Sequence, residues 1–336
     1  MPVSRRFQNR ITGGRSTLPA VILLSALCWA AAAVLAPERP EAQPAGYALW
    51  QPALLQGLPR WASLPAGYLL YGLAGYLLVV LNNTYAIIRM RASAQTSVFL
   101  MLVAACPRLH PLHAGNVAVL ALLPALFFLF NGYRHPRPSA SLFHAFAFLG
   151  LGFLAFPPLA FLIPVFWIGA YNFHALNLKS FFASLLGWGL PCWFLLGHAW
   201  FHGEMELFLH PFRELGSLGA PFRGWTVELV PTLAYVALLL AVSGAHCLVA
   251  GHEDKIRTRS YLHFLLLLSF VLLAGIVLQP RLAQDLLPPL LAGVSILSGH
   301  LFVLTSGRGS NLFFTGMLAA LFLLSAYNLW TLLQIP

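Results

Sequence analysis

ASLFHAFAFLGLGFLAFPPLAFLIPVFWIGAYNF, residues 140–173, carries no charged side chain and is too long for one straight membrane helix of ~20 residues, yet short for two. Phe156-Pro157-Pro158 divides it. Proline removes a backbone donor and clashes with the preceding turn, so the stretch reads either as one kinked helix or as a hairpin of two short helices. The choice decides the fold, because it sets the side of the membrane on which every later segment lies.

Composition makes lipid the solvent. The 336 residues are 59% hydrophobic and 8% charged, where a soluble domain carries about 25% charged residues. The apolar runs are continuous and do not alternate with polar residues, which points to helices rather than barrel strands. The sequence therefore predicts an all-α, polytopic transmembrane helical bundle with spans at about 18–36, 65–82, 93–107, 115–132, 140–156, 157–173, 180–198, 226–249, 260–279, 286–305 and 311–331, eleven in all.

Charge tests the layout. With the N-terminus in the cytoplasm and the C-terminus outside, thirteen of the 19 basic residues fall in inner segments and six in outer ones. The outer six are Arg39, Arg60, Arg108, Arg213, Arg223 and Arg281. Merging 140–173 into one helix weakens that bias to eleven against eight, so the positive-inside rule favours the hairpin. Most acids, Glu228 and Asp285 among them, fall outside, and only Glu253 and Asp254 fall inside. The chain reads as one integral membrane domain over 1–336, with a basic cytoplasmic segment 1–17 and longer outer segments 37–64 and 199–225. MPVSRRFQNRITGGR and the run that follows look like a signal peptide, but Leu18–Ala36 is long enough to span and reads as a retained first helix.

Several functions are excluded. A net charge of +10 comes without a basic patch interleaved with aromatics, so nucleic acid is not expected as a partner. Cys28, Cys106, Cys192 and Cys247 lie in or beside apolar runs, which supports neither a disulfide framework nor a zinc knuckle. SGRGS, residues 306–310, lacks the lysine and spacing of a phosphate loop, so coupling to ATP within the chain is not expected.

HAWFHGEMELFLHPFRE, residues 198–214, is the densest titratable stretch. Gly203 and Pro211 argue against one unbroken helix and for a shorter one over roughly 205–216. Met205, Phe208, Leu209, Phe212 and Leu215 form its apolar stripe, and Glu206, His210, Arg213 and Glu214 its polar face. That pattern describes an interfacial helix. The functional alternative pairs His198 with His202 at i, i+4 to grip a phosphate or a divalent metal, with Glu204 or Glu206 as third ligand or base. No metal site is assigned, because HAWFH lacks the internal glutamate of a zinc-protease helix.

Three further places are candidates. In APERPEAQP, residues 36–44, which hold three prolines, Glu38 or Glu41 can accept a proton from an acceptor substrate, or the stretch is a plain solvated loop. LNNTYAIIRMR, residues 81–91, gathers Asn82, Asn83 and Arg89 where lipid phosphates are within reach; a cap and the positive-inside rule explain them equally. Polar residues inside spans are costly, and His246, His263 and His300 fall toward the inner half, where they pack structurally or form a proton path.

SLFHAFAFLGLGFLAFPPLAFLIPVFWIGAYNFHALNLKSFFASLLGWGLPCWFLL, residues 141–196, together with NNTYAIIRMRASAQTSVFLML, residues 82–102, resembles an uncharacterised family of polytopic bacterial inner-membrane proteins. The short hairpin with its aromatic-Pro-Pro turn carries the resemblance, which implies a bacterial cytoplasmic membrane but no activity. Two functional expectations follow from the whole. One is a cell-envelope enzyme acting at the outer face on polyprenyl- or lipid-linked sugars. Glu38, Glu41 and His202 would do its chemistry, and His198, Glu206, His210, Arg213, Asn82, Asn83 and Arg89 would hold substrate. The other is a lipid or solute transporter, or a membrane subunit of a larger complex, with lipids and other membrane proteins as partners.

Overall fold

A computed structural model describes residues 7–35, 58–88, 93–216, 219–249 and 254–334. The described residues form α-helices, three short 3-10 turns and connecting loops, with no strand. Eight helical segments are long and apolar enough to cross a membrane: α2 (Thr17–Leu35), α3 (Arg60–Tyr85), α5 (Ala114–Asn131), α8 (Leu178–His202), α10 (Leu229–Val249), α11 (Ile256–Leu278), the segment Pro280–Leu304 that holds α12 (Ala283–Leu304), and α13 (Arg308–Gln334). The other expected spans fall on shorter helices. These are α4 (Ala94–Ala104), α6 (Ser139–Ala155), and a 3-10 turn Pro157–Leu162 leading into α7 (Ile163–Asn172). At 1.5 Å per residue the 11 residues of α4 rise only about 16 Å, half of a ~30 Å hydrocarbon layer. Two small helices complete the set, α1 (Phe7–Thr12) and α9 (Met205–Gly216).

The bundle is built around α12. Of the most apolar window of Pro280–Leu304, 94% is buried, against 17% for α2 and 28% for α13. Helices α4, α5, α10 and α11 pack directly on it, and α1 closes one end. Gln8 of α1, fully buried, donates from Nε2 to the carbonyl oxygens of Phe302 (2.8 Å) and Thr305 (2.9 Å), while its amide nitrogen donates to Asn311 Oδ1. The bundle thus has an α1 face and, opposite it, an α9 face.

The 140–173 stretch is a hairpin. Proline cannot continue the backbone ladder of α6, so Phe156 leaves the helix with extended backbone (φ −143°, ψ 90°) and Pro157 opens the 3-10 turn. Both legs return to the α1 face. Ser141, near the start of α6, accepts a hydrogen bond from Asn131 Nδ2 (3.0 Å), and Phe173, just beyond α7, packs its ring on Phe130, Tyr133 and Tyr261. The turn itself lies at the α9 face, where Phe153 meets Phe212.

Helices α6 and α8 pack most closely of all. Close approach needs small residues, since lipid supplies no hydrophobic force between helices and dispersion must hold them. A Cβ on Gly187 would overlap the carbonyl of Phe143, and one on Gly150 would sit 2.6 Å from the Trp188 carbonyl oxygen. Gly189, two residues along, has open space. Start and stop signals agree with these bounds. Asn177 and Ser180 cap the start of α8 reciprocally, side chain to backbone, at 2.8–2.9 Å, and Gly203 ends it at φ +70°.

Gly187→Val therefore lowers the melting temperature of the detergent-solubilised protein by several degrees, on the order of 1–3 kcal/mol or more of overpacking. Gly189→Val leaves it within about 0.5 kcal/mol. Equal melting shifts for the two would refute the packing.

Candidate functional site

The titratable ladder of 198–214 does not form one site. It divides into three separate pairs. His198 and His202, both exposed at the end of α8, bring their ring centroids to 4.3 Å. Glu206 is bound to Arg213 at 2.6 Å on the open side of α9, and His210 approaches Glu214 at 3.7 Å. The apolar stripe of α9 is divided as well: Phe208, Phe212 and Leu215 pack against Phe153, Cys192 and Leu195, while Met205 and Leu209 stay exposed. The helix thus covers the α6–α8 pair. Among the described residues no three His, Cys, Asp or Glu gather to hold a metal.

The other sequence candidates fare differently. Glu38, Glu41 and Arg89 lie outside the described residues. Asn82 is buried and its Oδ1 accepts from the Ile88 amide (2.8 Å), fixing the chain reversal after α3, whereas Asn83 is exposed. His263, His246 and His300 separate: His263 is exposed, while His246 and His300 come together. His300 Nε2 lies 3.2 Å from Asp254 Oδ2, both side chains 1% exposed, and its Nδ1 lies 3.9 Å from Cys247 Sγ.

A site that no local pattern announced forms at the α9 face. Two 3-10 turns there share the sequence Pro-Arg-Leu: residues 107–109 between α4 and α5, and residues 280–282 between α11 and α12. Proline pre-sets the first turn position, and each turn offers its arginine to one cavity of ≈ 180 Å³. Arg108 Nε bonds Glu228 Oε1 at 2.6 Å, with Glu228 mostly buried ahead of α10. Across from them stands Arg281, exposed and making no hydrogen bond or ion pair among the described residues. It is threaded between Gly219 and Gly224, where any side chain would overlap it. The loop that cradles it is pinned by Phe222 N to Leu278 O (3.0 Å) and by Gln279 Nε2 to Gly219 O (2.8 Å).

The floor is polar and incompletely satisfied. Asn328 donates from Nδ2 to Ala105 O (2.8 Å) and to Thr232 Oγ1 (3.2 Å), which leaves its Oδ1 buried without a donor. A buried acceptor in that condition costs about 1–3 kcal/mol unless something else satisfies it. Leu229, Leu287 and Leu332 supply an apolar flank beside α13, the helix most open to lipid after α2. Behind the cavity, Gln284 Nε2 donates to Arg108 O (3.2 Å), Asp285 Oδ1 accepts from Gly115 N (2.9 Å), and His110 stacks on Trp29 with ring centroids 3.7 Å apart. Burial pushes the His110 imidazole down to about 3, so it stays neutral and serves as a packing element. The cavity can accept an anion at its two guanidiniums and a hydroxyl donor at Asn328, with a carboxylate in reach.

Arg108, Glu228, Arg281 and Asn328 escaped the motif reading because they are far apart in sequence and belong to four connections or helix ends. The repeated Pro-Arg-Leu was the one local signal. Comparison of the chain with protein-family models, curated proteins and solved structures returned no match.

Burial raises the Glu214 carboxyl from 4.5 to about 7. A carboxyl raised on folding favours the docked helix when protonated, so its contribution is fully present below about pH 4.5 and is lost as pH rises through about 7. Amide exchange over 205–216 is therefore expected to quicken across that window at the level of the intrinsic-rate-corrected protection factor, and Glu214→Gln to abolish the change. Protection that ignores pH in the wild type would contradict this.

Proposed function

We propose that the chain is a cell-envelope membrane enzyme that binds the phosphate of a polyprenyl- or lipid-linked sugar in the Arg108–Glu228–Arg281 cavity and transfers the sugar there. The reading places the α1 face in the cytoplasm and the α9 face outside a bacterial inner membrane. All eleven apolar segments alternate in direction, the short ones crossing with help from loops and neighbours. The C-terminus is then extracytoplasmic, in keeping with the excess of basic residues on the α1 side.

One observation carries the proposal: two arginines on matching turns and a carboxylate converge on a cavity whose flank is apolar and opens beside a lipid-facing helix. Arginine forks suit phosphate oxygens. An incoming phosphate competes with Glu228 for Arg108 and frees the carboxylate to take the proton of an acceptor hydroxyl, whose oxygen bonds the anomeric carbon as that carbon's bond to the phosphate oxygen breaks and the lipid-linked phosphate leaves, held by Arg108 and Arg281. Asn328 Oδ1 accepts a hydroxyl of the sugar or the acceptor. These residues take over the roles that the sequence alone suggested for Glu38, Glu41, His202, His198 and Arg213.

The test is binding and turnover of a polyprenyl-diphosphate sugar by the chain in nanodiscs. Arg108→Ala and Arg281→Ala each weaken binding about tenfold, as loss of a charge-assisted hydrogen bond would. Glu228→Gln keeps binding and loses transfer. Indifference of binding to both arginines rejects the site, and binding without transfer in the wild type rejects the enzyme in favour of a carrier.

A carrier is the second reading, and the buried Asp254–His300 pair at the α1 end of α12 favours it, because buried ionisable groups beside membrane spans are expensive and tend to serve proton movement. In that case Asp254→Asn and His300→Gln abolish acid-driven uptake into proteoliposomes while the cavity variants alter affinity for the cargo.

A further inference from the structure

On the α1 face a second cavity, ≈ 90 Å³, runs between α1, α2, α4, α10 and α13. Its deep walls are apolar, formed by Val98, Met101, Leu239, Met317 and Leu321, and hydroxyls appear only toward α1 and the first turn of α4, at Thr12, Thr17, Ser93 and Ser97. The gradient from polar mouth to apolar depth is that of a lipid. Two independent features mark the mouth as built for a ligand. First, Ser97 is buried (8% exposed) and its Oγ has no hydrogen-bond partner, although the usual bond to the carbonyl four residues back is within reach of a helical serine. Secondly, the mouth is the N-terminus of α4, whose Ser93 cap makes no side-chain bond to the first-turn amides. Free helix-end N–H groups and the helix dipole favour an anion. Exposed Arg10 and Arg15 flank Ile11, Thr12 and Thr17 in the sequence of the same rim.

We infer that this cavity takes the upper methylenes of one acyl chain of an anionic phospholipid from the leaflet at the α1 face, the rest of the chain running outside it, with the phosphate at the first turn of α4. The hydroxyl of Ser97 donates to the ester or phosphate oxygen. Arg10 and Arg15 complement the charge. The short α4 makes room for the chain, since a full-length helix at that position would fill the space the lipid takes. The clamp of Gln8 on Phe302, Thr305 and Asn311 holds the rim shut around it. The site is on the face opposite the Arg108–Glu228–Arg281 cavity and does not depend on what that cavity binds.

The test is native mass spectrometry of the full chain released from mixed micelles holding equal phosphatidylglycerol and phosphatidylcholine. One phosphatidylglycerol is expected to stay bound per chain, retained at least about tenfold over phosphatidylcholine. Met317→Trp fills the depth and removes the retained lipid, with Val98→Phe as the equivalent from α4 if that variant does not fold. Ser97→Ala and the Arg10→Gln, Arg15→Gln pair keep the chain but reduce the preference for phosphatidylglycerol severalfold. Millimolar inorganic phosphate does not displace the lipid. The inference is overturned if no lipid is retained, if retention is equal in the filled variants, if headgroup preference is absent, or if inorganic phosphate alone competes.

Discussion

The burial of α12 is the constraint on which the rest depends. A helix with almost no lipid contact must find protein on every side, so α4, α5, α10 and α11 are obliged to surround it and the remaining helices to surround them. Small residues make the crossings close: Gly299 lies against the backbone of Gln95, and Gly293 against Ser269. Polar groups gather at its two ends, Asp285 and Gln284 at one, His300 at the other. In hydrocarbon such groups hold their places only through partners, and each has one: Gly115 and Arg108 at the first end, Asp254 at the second.

This arrangement explains why both candidate ligand sites lie at bundle ends. The middle of α12 is dry and closely packed, with Leu290, Leu291, Val294 and Leu297 fully buried. The two cavities open where helices stop short or turn: beneath α4 at the α1 face, and between the two Pro-Arg-Leu turns at the α9 face. Arg281 in particular is presented rather than merely placed. Gly219 and Gly224 let the loop lie directly against its side chain, and Gly224 adopts φ +94°, which a side chain would strain.

How much of this was written locally follows from the kind of signal each feature leaves. The long helices were legible because an apolar run of sufficient length has one solution in lipid. The hairpin at Phe156–Pro158 was favoured by charge, since a reversal keeps thirteen rather than eleven of the 19 basic residues on one side. The start of α9 after Gly203 and its two faces could be read from helical spacing. Helix length was less legible, because α4 ends on the turn at Cys106-Pro107 and not on any polar residue within the run. The cavity was hardest. Arg108 looked like one loop charge among six, and nothing near it in sequence names Glu228 or Arg281 as its neighbours; packing on α12 alone brings their turns together. The ladder of 198–214 reads locally as either a wet helix face or a ligand set, and the structure divides it into three pairs.

The shortness of α4 has a consequence for the membrane. Every residue of α4 but Val98 is buried, so the surrounding bilayer does not bathe it. The bilayer meets chiefly the rim of the protein, the long helices α2, α3, α8 and α13, whose apolar lengths set the hydrophobic thickness the lipids must match. Core and rim are thereby decoupled: the interior can be dished from either face without pinching the bilayer around it. A protein of this shape sits in a membrane of ordinary thickness while holding polar chemistry below the level of the surrounding headgroups.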